Sequence, residues 1–428
     1  MFNYKTYKNP VTLTDHQNEK LTEAKRILTT SNVLVIKGKA GVGKTTLVRF
    51  LLPFLIDKDS IADRIYITAP TNKAVSVLQN MGINSTQIAY KTIHSALKLK
   101  RRIQKDGTVV YKNDNVPDYL KEVGAIIIDE CSMISSNLLD NIKRAQRYYP
   151  HIKIVYLGDP GQINPVNEVD TPVFNQQYPT IELTEIIRQA EGNPIIQLSR
   201  NIDDIRKKIP NRDGNIGYIY TNSIADVVST LAYVNGSDKL KYLAWTNENI
   251  NKINSMVRRK IYGEPRKVEI GETLIFNAPY GDDYINGQVI KVKDDLCIEE
   301  KPFFIYTSKI GKDIRPIEIN LKYYLFNNCS IRLIHEDSER TFKNVCTELV
   351  RLVNKNEFEW LDYFNFREKF ADLKYAHAMT VHKSQGSTYK QVIINYRDIM
   401  SNQSKEERER LLYTAITRAS ELVIFFNI

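Results

Sequence analysis

Long apolar runs are missing from this chain of 428 residues. Nowhere do about 18 apolar residues follow one another, so no helix is expected to cross a bilayer. Cysteine is scarce: Cys131, Cys297, Cys329 and Cys346 stand far apart, with no C-x-x-C pair among them. That spacing argues against a disulfide framework or a zinc site and for a reducing compartment. The start, MFNYKTYKNP, has no apolar stretch of the kind an export signal needs, so a cytoplasmic chain is expected. Neither an internal repeat nor a low-complexity tract stands out.

What is present reads as an ordinary globular chain. Hydrophobic residues make up 42% and charged residues 26%. At roughly 100–200 residues per domain the length predicts two to four domains. Lys and Arg number 60 against 50 Asp and Glu, giving a net charge of +10. That balance suits a polyanionic partner, of which nucleic acid is the commonest.

The first half alternates strand and helix. VLVIK (33–37), RIYITAP (64–70), AIIID (125–129) and IKIVYLGD (152–159) are apolar, β-branched runs. Between them TTLVRFLLPFL (45–55), NKAVSVLQNM (72–81) and NLLDNIKRAQRYY (137–149) carry helical spacing. Continuous apolar strands alternating with helices predict a parallel sheet covered on both faces. Asp106-Gly107 is a turn signal within KLKRRIQKDGTVVY (98–111) and predicts a basic β-hairpin there. In the second half, LKYLAWT (240–246) reads as a strand and NENINKINSMVRRKIYG (247–263) as a basic amphipathic helix. Short strands with NG and DD turns over about 271–338 predict a small barrel inserted in a larger domain. Residues 341–374 read as helical with an aromatic cluster, before QVIINY (391–396), KEERERLLYTAITRA (405–419) and ELVIFF (421–426) resume the α/β rhythm.

Chemistry enters with Gly38-Lys39-Ala40-Gly41-Val42-Gly43-Lys44-Thr45, which fits G-x-x-x-x-G-K-[ST] between a strand and a helix. Its glycines let backbone N–H groups wrap phosphate, and the helix points its positive end at them. Lys44 would reach the β- and γ-phosphates and Thr45 a Mg²⁺ ion. Strand AIIID ends in Asp129-Glu130, an acidic pair suited to hold Mg²⁺ through water (Asp129) and to polarise an attacking water (Glu130). Cys131 reads as a packed small residue. Charge developing at a transferred phosphoryl group calls for arginine; Arg188 in LTEIIRQ and Arg418 in YTAITRA each read alone as an ordinary surface arginine, and their assignment to this role is what the resemblance below implies.

These segments, in this order, resemble the superfamily 1 helicases, and within them the RecD/Dda-like group. LTDHQ, ending in Gln17, resembles the Q motif and GKAGVGKT motif I; APTNKA (69–74) and KTIHS (91–95) resemble motifs Ia and Ib. IIIDECSM, GDPGQINPV (158–166), LTEIIRQ, TVHKSQGST (380–388) and LLYTAITRAS (411–420) resemble motifs II to VI. The form G-D-x-x-Q-x-x-P-V is similar to the RecD/Dda branch. The resemblance implies two RecA-like P-loop domains with parallel sheets around one ATP and Mg²⁺. A β-hairpin pin is inserted in the first, and an SH3-like barrel plus helical arm in the second. The implied division is 1–97 with 114–190, the pin at 98–113, 191–270 with 375–428, and the barrel and arm at 271–374. By the same resemblance Gln17 reads adenine, and Gly38, Gly41, Gly43, Lys44, Thr45 and Thr46 hold the phosphates. Thr45 and Asp129 hold the metal. Lys44, Glu130, Gln162 as γ-phosphate sensor, Arg188 and Arg418 serve hydrolysis. Pro70, Thr71, Asn72, Thr92, His94, Thr380, His382 and Lys383 contact DNA, with Tyr111 a stacking residue of the pin. Asn72 departs from the pattern, since related chains can carry His there, and this leaves a phosphate contact in place of base stacking.

The implied activity is 5′→3′ translocation on single-stranded DNA with duplex separation at the pin. A translocase that strips bound proteins, or an RNA-directed helicase, are the alternatives. Implied partners are single-stranded DNA and ss/dsDNA junctions, with a single-strand-binding protein or replisome component beside them, for a monomer in a bacterial or phage-infected cytoplasm.

Overall fold

The computed structural model describes residues 12–428 except 57–61, 80–84, 105–106, 166–167, 188–191, 282 and 310–314, and the side chain of residue 103. Strands β1 (Val33–Gly38), β2 (Arg64–Ala69) and β3 (Ile88–Thr92) are followed by a hairpin, β4 (Lys100–Ile103) and β5 (Val109–Lys112). Then come β6 (Val123–Ile128), β7 (Lys153–Gly158) and β8 (Thr180–Leu183). Apart from the hairpin they form one six-stranded sheet in the order β3-β2-β6-β7-β1-β8, parallel throughout.

Period-2 alternation splits its side chains between two cores. Leu34, Ile36, Ile65, Ile67, Ala125, Ile127, Val155 and Leu157 enter one. Val35, Tyr66, Ile126, Ile128, Ile154 and Tyr156 enter the other. The first is roofed by helices Asp15–Thr30 and Lys44–Leu55, the second by helix Ser136–Tyr148. Helix Lys44–Leu55 buries Leu47, Val48, Leu51, Leu52 and Leu55, a one-sided stripe at helical spacing. Each such leucine stabilises the fold by roughly 1.5–3 kcal/mol.

The second lobe repeats the plan. Strands β9 (Asn211–Asp213), β10 (Ile216–Thr221) and β11 (Leu240–Ala244) precede an insertion. The insertion holds β12 (Thr273–Phe276), β13 (Val289–Lys291), β14 (Cys297–Ile305), β15 (Ile317–Phe326), β16 (Ile331–Ile334) and β17 (Leu373–Tyr375). Strands β18 (Ala378–Thr380), β19 (Tyr389–Asn395) and β20 (Ala419–Phe426) complete the second sheet, ordered β18-β11-β19-β20-β10-β9 and parallel except for β9.

The inserted strands make two three-stranded antiparallel sheets, β13-β12-β17 and β14-β15-β16. They share a core of Leu274, Phe276, Ile290, Tyr324, Phe326 and Leu333. β17 begins at Leu373 and pairs with β12, so the third strand of that sheet runs across position 374, the expected end of the insertion. The other face of β15 turns Ile319, Leu321 and Tyr323 toward helices Glu339–Asn354 and Trp360–Arg367, where Leu349, Phe358, Phe366 and Phe370 meet them. The aromatic run expected to be helical is thus two helices with a break between them. A buried Arg258–Glu272 pair joins helix Asn247–Tyr262 to the root of the insertion, with the guanidinium 4.1 Å from the Tyr375 ring centre.

Candidate nucleotide and nucleic-acid site

The phosphate loop leaves β1 at Gly38. Gly41 (φ 81°) and Gly43 (φ 77°) are left-handed, a conformation that side-chain-bearing residues rarely adopt. A Cβ on Gly43 would lie 2.4 Å from Gln17 Nε2 and 2.6 Å from Ile187 Cδ1, so the loop is enclosed from both sides. Gln17 is buried; its Nε2 donates to Val42 O (3.1 Å) and its Oε1 accepts from Thr14 N–H (3.1 Å). It therefore caps its own helix and pins the loop in one stroke. Lys44 Nζ donates to Gly38 O (2.6 Å) and Lys39 O (3.1 Å), and Thr45 and Thr46 stand in the first turn of the helix that follows. Ile187 N–H donates to Gly41 O (3.1 Å), while the next residue, Arg188, lies outside the described residues.

Asp129 follows β6, two strands from β1. Its carboxyl is pushed up by burial and by the Glu130 charge, against the pull of Lys44. Glu130 itself is left-handed (φ 52°), strained for a residue with a side chain. Cys131 is buried and closes on Gly158, where a Cβ would meet its Sγ at 2.4 Å, in keeping with a packing role.

Gln162 is buried and its Oε1 has no hydrogen-bond partner among the described residues. A buried acceptor is costly unless something supplies a donor, and an attacking water or nucleotide would do so. Together with the glycine cradle and the Lys44 ammonium held by carbonyls of its own loop, the residues present fit a Mg²⁺-bound nucleoside triphosphate.

Arg418 is buried too. Its guanidinium donates to Thr414 O (3.2 Å), Ser387 O (3.1 Å) and Thr417 Oγ1 (3.4 Å). None of these partners is a carboxylate, and Arg418 forms no ion pair among the described residues. Three contacts of the second lobe hold the Gln162-Ile163 backbone: Arg410 Nη1 to Gln162 O (3.3 Å), Ile163 N–H to Thr414 Oγ1 (3.3 Å) and Gln385 Nε2 to Ile163 O (3.1 Å). Arg410 and Tyr413 were not among the expected site residues, because their importance arises from packing between lobes.

Apart from Tyr111, the expected nucleic-acid residues stand at the C-terminal ends of β2, β3 and β18. Pro70 ends β2, and Thr71 Oγ1 accepts from Ala74 N–H (3.2 Å) at the start of the helix that carries Asn72. Thr92 caps the short helix Ile93–Ala96 and Thr380 caps Val381–Ser384. Their histidines, His94 and His382, are both pushed toward neutrality by burial. Gly386 is left-handed (φ 68°), and a Cβ there would lie 3.0 Å from Thr71 Oγ1, so the two lobes touch at this point. Lys73 adds a second contact, its Nζ 4.3 Å from the Tyr389 ring centre.

A cleft of about 790 Å³ runs from here to the insertion, lined by Thr71, Lys73, Asn247, Asn251, Asn277, Asn286, Lys374, Thr380, His382 and Lys383 among others. No Asp or Glu is among its described lining residues. Asn247 and Asn251 were missed from sequence. A short echo marks the first of them: Ala69-Pro70-Thr71-Asn72 begins on the last residue of β2, and Ala244-Trp245-Thr246-Asn247 on the last residue of β11. Asp398 fixes the second copy, accepting from Trp245 N–H (2.6 Å), Thr246 N–H (2.9 Å) and Thr246 Oγ1 (2.7 Å).

Tyr111 lies on the hairpin and meets His94 edge-on, ring centres 5.2 Å apart. Arg101, its cross-strand neighbour, ion-pairs with Glu368 and sits 4.4 Å from the Phe364 ring centre. Gly107 (φ 83°) lies so close to Trp360 that a Cβ would come within 2.6 Å of the indole. Thus the helical arm touches the hairpin at its turn and along its edge. Asp106 falls outside the described residues; Gln104 N–H donates to Thr108 O (2.8 Å) between the two strands of the hairpin.

Comparison with known proteins agrees with this architecture. Residues 12–214 match the AAA domain family, and residues 375–426 match the UvrD-like helicase C-terminal domain. An uncharacterized protein of Acanthamoeba polyphaga mimivirus is 27% identical over 475 residues, covering 92% of this chain and 95% of its own. The ATP-dependent DNA helicase dda of Enterobacteria phage T4 is 26% identical over 420 residues, covering 90% and 92%. The crystal structure of Bacteroides Pif1 bound to ssDNA has the same fold, with a TM-score of 0.50 at 19% identity, covering 97% of this chain and 92% of that one.

Proposed function

The chain belongs to the RecD/Pif1/Dda-like group of superfamily 1 helicases, and from that membership we propose that it is an ATP-dependent DNA helicase moving 5′→3′ on single-stranded DNA. One observation carries the proposal: the phosphate loop of the first lobe is in direct hydrogen-bond contact with the second lobe, which also shares with the first a cleft that has no Asp or Glu among its described lining residues. Nucleotide in the loop therefore acts on the relative position of the lobes that grip the strand. The domain division stated above is part of the proposal.

In this reading Gly41 and Gly43 let backbone N–H groups wrap the phosphates, and Lys44 leaves its loop carbonyls for the β- and γ-phosphates. Thr45 and Asp129 hold Mg²⁺, which supplies charge neutralisation on the phosphate oxygens when bound. Glu130 polarises the attacking water, Gln162 orients it, and Arg418 stabilises the developing charge. Arg188 is proposed beside them on the resemblance alone. Thr71, Asn72, Thr92 and His94 hold backbone phosphates from one lobe, and Thr380, His382 and Lys383 from the other, without reading sequence.

The docked hairpin favours unwinding over bare translocation. A wedge must resist about 1.4 kcal/mol of stacking per base-pair step, and Trp360, Phe364 and Glu368 of the arm brace it. The test is DNA-stimulated ATPase together with strand displacement by the wild type and by Glu130→Gln. Loss of both in the variant is expected; hydrolysis that ignores DNA would reject the proposal.

A further inference from the structure

Tyr413 has no part in the chemistry assigned so far, yet it is the side chain that joins the two lobes at the phosphate loop. It projects from helix Lys405–Ile416 of the second lobe and is 3% exposed. Its hydroxyl donates to Asp159 Oδ2 at 2.5 Å and accepts from Ala40 N–H, inside the phosphate loop, at 2.8 Å. The ring packs against the motif III turn: a Cβ on Gly161 would come within 3.2 Å of its Cε1.

Asp159 extends the chain of contacts. Its Oδ1 accepts from Gly161 N–H (2.9 Å), and Ser132 Oγ bonds both its carbonyl (3.1 Å) and its N–H (3.3 Å). Ser132 lies directly beyond Glu130-Cys131. Unbroken hydrogen bonds therefore link the phosphate loop, Tyr413, the turn that carries Gln162 and the turn that carries Glu130. A hydroxyl has one proton, and burial and the Asp159 charge keep it on the phenol. The donor thus faces Asp159, the acceptor faces Ala40, and the geometry has one sense. Arg418 follows on the same segment, just past the helix end.

We propose that Tyr413 is a positioning residue for ATP hydrolysis: its hydroxyl sets the spacing between phosphate loop and second lobe at which Arg418 meets the γ-phosphate. This rests on the proposed function, and it goes further by naming the contact through which the two lobes are brought into register.

The test uses the full chain and single-turnover ATP hydrolysis with saturating single-stranded DNA, plus nucleotide binding and thermal melting. Tyr413→Phe keeps the ring on Gly161 and removes only the oxygen. It should lower the hydrolysis rate by about tenfold or more, with nucleotide affinity within about threefold. In an Arg418→Ala background the same change should cost little further, because the hydroxyl acts through that arginine. A contact that served only folding would cost as much in either background. Should Tyr413→Phe not fold, Asp159→Asn must give the same loss and the same silence behind Arg418→Ala. A rate within twofold of wild type, an affinity loss at unchanged rate, or a full loss in the Arg418→Ala background would each overturn the inference. A wild-type chain that fails to hydrolyse ATP overturns the proposed function as well. A wild type that hydrolyses ATP beside an unimpaired Tyr413→Phe overturns this inference alone.

Discussion

Thr92 and Thr380 hold equivalent positions in the two lobes. Each ends an edge strand of its sheet, and each caps a four-residue helix whose second residue is a histidine. Thr92 Oγ1 accepts from Ser95 N–H (3.2 Å) and Thr380 Oγ1 from Lys383 N–H (3.4 Å). Replacing either by Ala removes a cap worth about 1 kcal/mol and frees the loop that presents the histidine. Thr92→Ala and Thr380→Ala should each weaken single-stranded DNA binding several-fold, read by fluorescence anisotropy, with ATP binding unchanged. Undiminished DNA affinity in both would remove these caps from the nucleic-acid site.

At the nucleotide site, Lys44→Ala and Glu130→Gln should differ in kind. Lys44→Ala loses nucleotide affinity and hydrolysis together. Glu130→Gln retains affinity and loses the chemical step by at least about a hundredfold, since it removes a group needed only in the transition state. Fluorescent-nucleotide binding beside steady-state ATPase separates the two, and an active Glu130→Gln would reassign the base.

The arm and hairpin give a uncoupling test. Gly107→Ala puts a methyl where Trp360 stands, on a backbone at φ 83° that Ala resists. Trp360→Ala empties the same contact from the other side. Both should retain DNA-stimulated ATPase within about twofold and lose most strand displacement. Equal unwinding by all three proteins would mean the arm does not brace the hairpin.

His377 predicts an acid limit on stability. It is 1% exposed, and neither ring nitrogen has a partner among the described residues. Burial, then Lys241 and Arg258, push it down to about 4 from 6.5. The unfolded chain takes up this proton before the folded one does. Stability is therefore intact above about pH 6.5 and falls as pH drops toward 4, by about 3 kcal/mol in all. His377→Phe should show a shallower acid fall in melting temperature; matching slopes would show that His377 is not the titrating group.

Much of this was legible in the chain because the chemistry sits on contiguous runs. VLVIK before a glycine loop and AIIID before Glu130 declare their strands, and the proposed site residues stand at the strand ends. β3 escaped notice because IAYKT is half-buried along its length and has no clean alternation. β18 is three residues long and β9 likewise. The echo of Ala69–Asn72 in Ala244–Asn247 is too short to register as a repeat, and becomes meaningful only when β2 and β11 are seen in matching places. Tyr413 was hidden for a different reason: a tyrosine in an apolar helix reads as core until the opposite lobe supplies Ala40 and Asp159.

The most direct measurement is ATP-dependent strand displacement on one duplex bearing either a 5′ or a 3′ single-stranded tail. Unwinding from the 5′ tail alone is expected. Unwinding from the 3′ tail alone, or from neither, would contradict a 5′→3′ helicase.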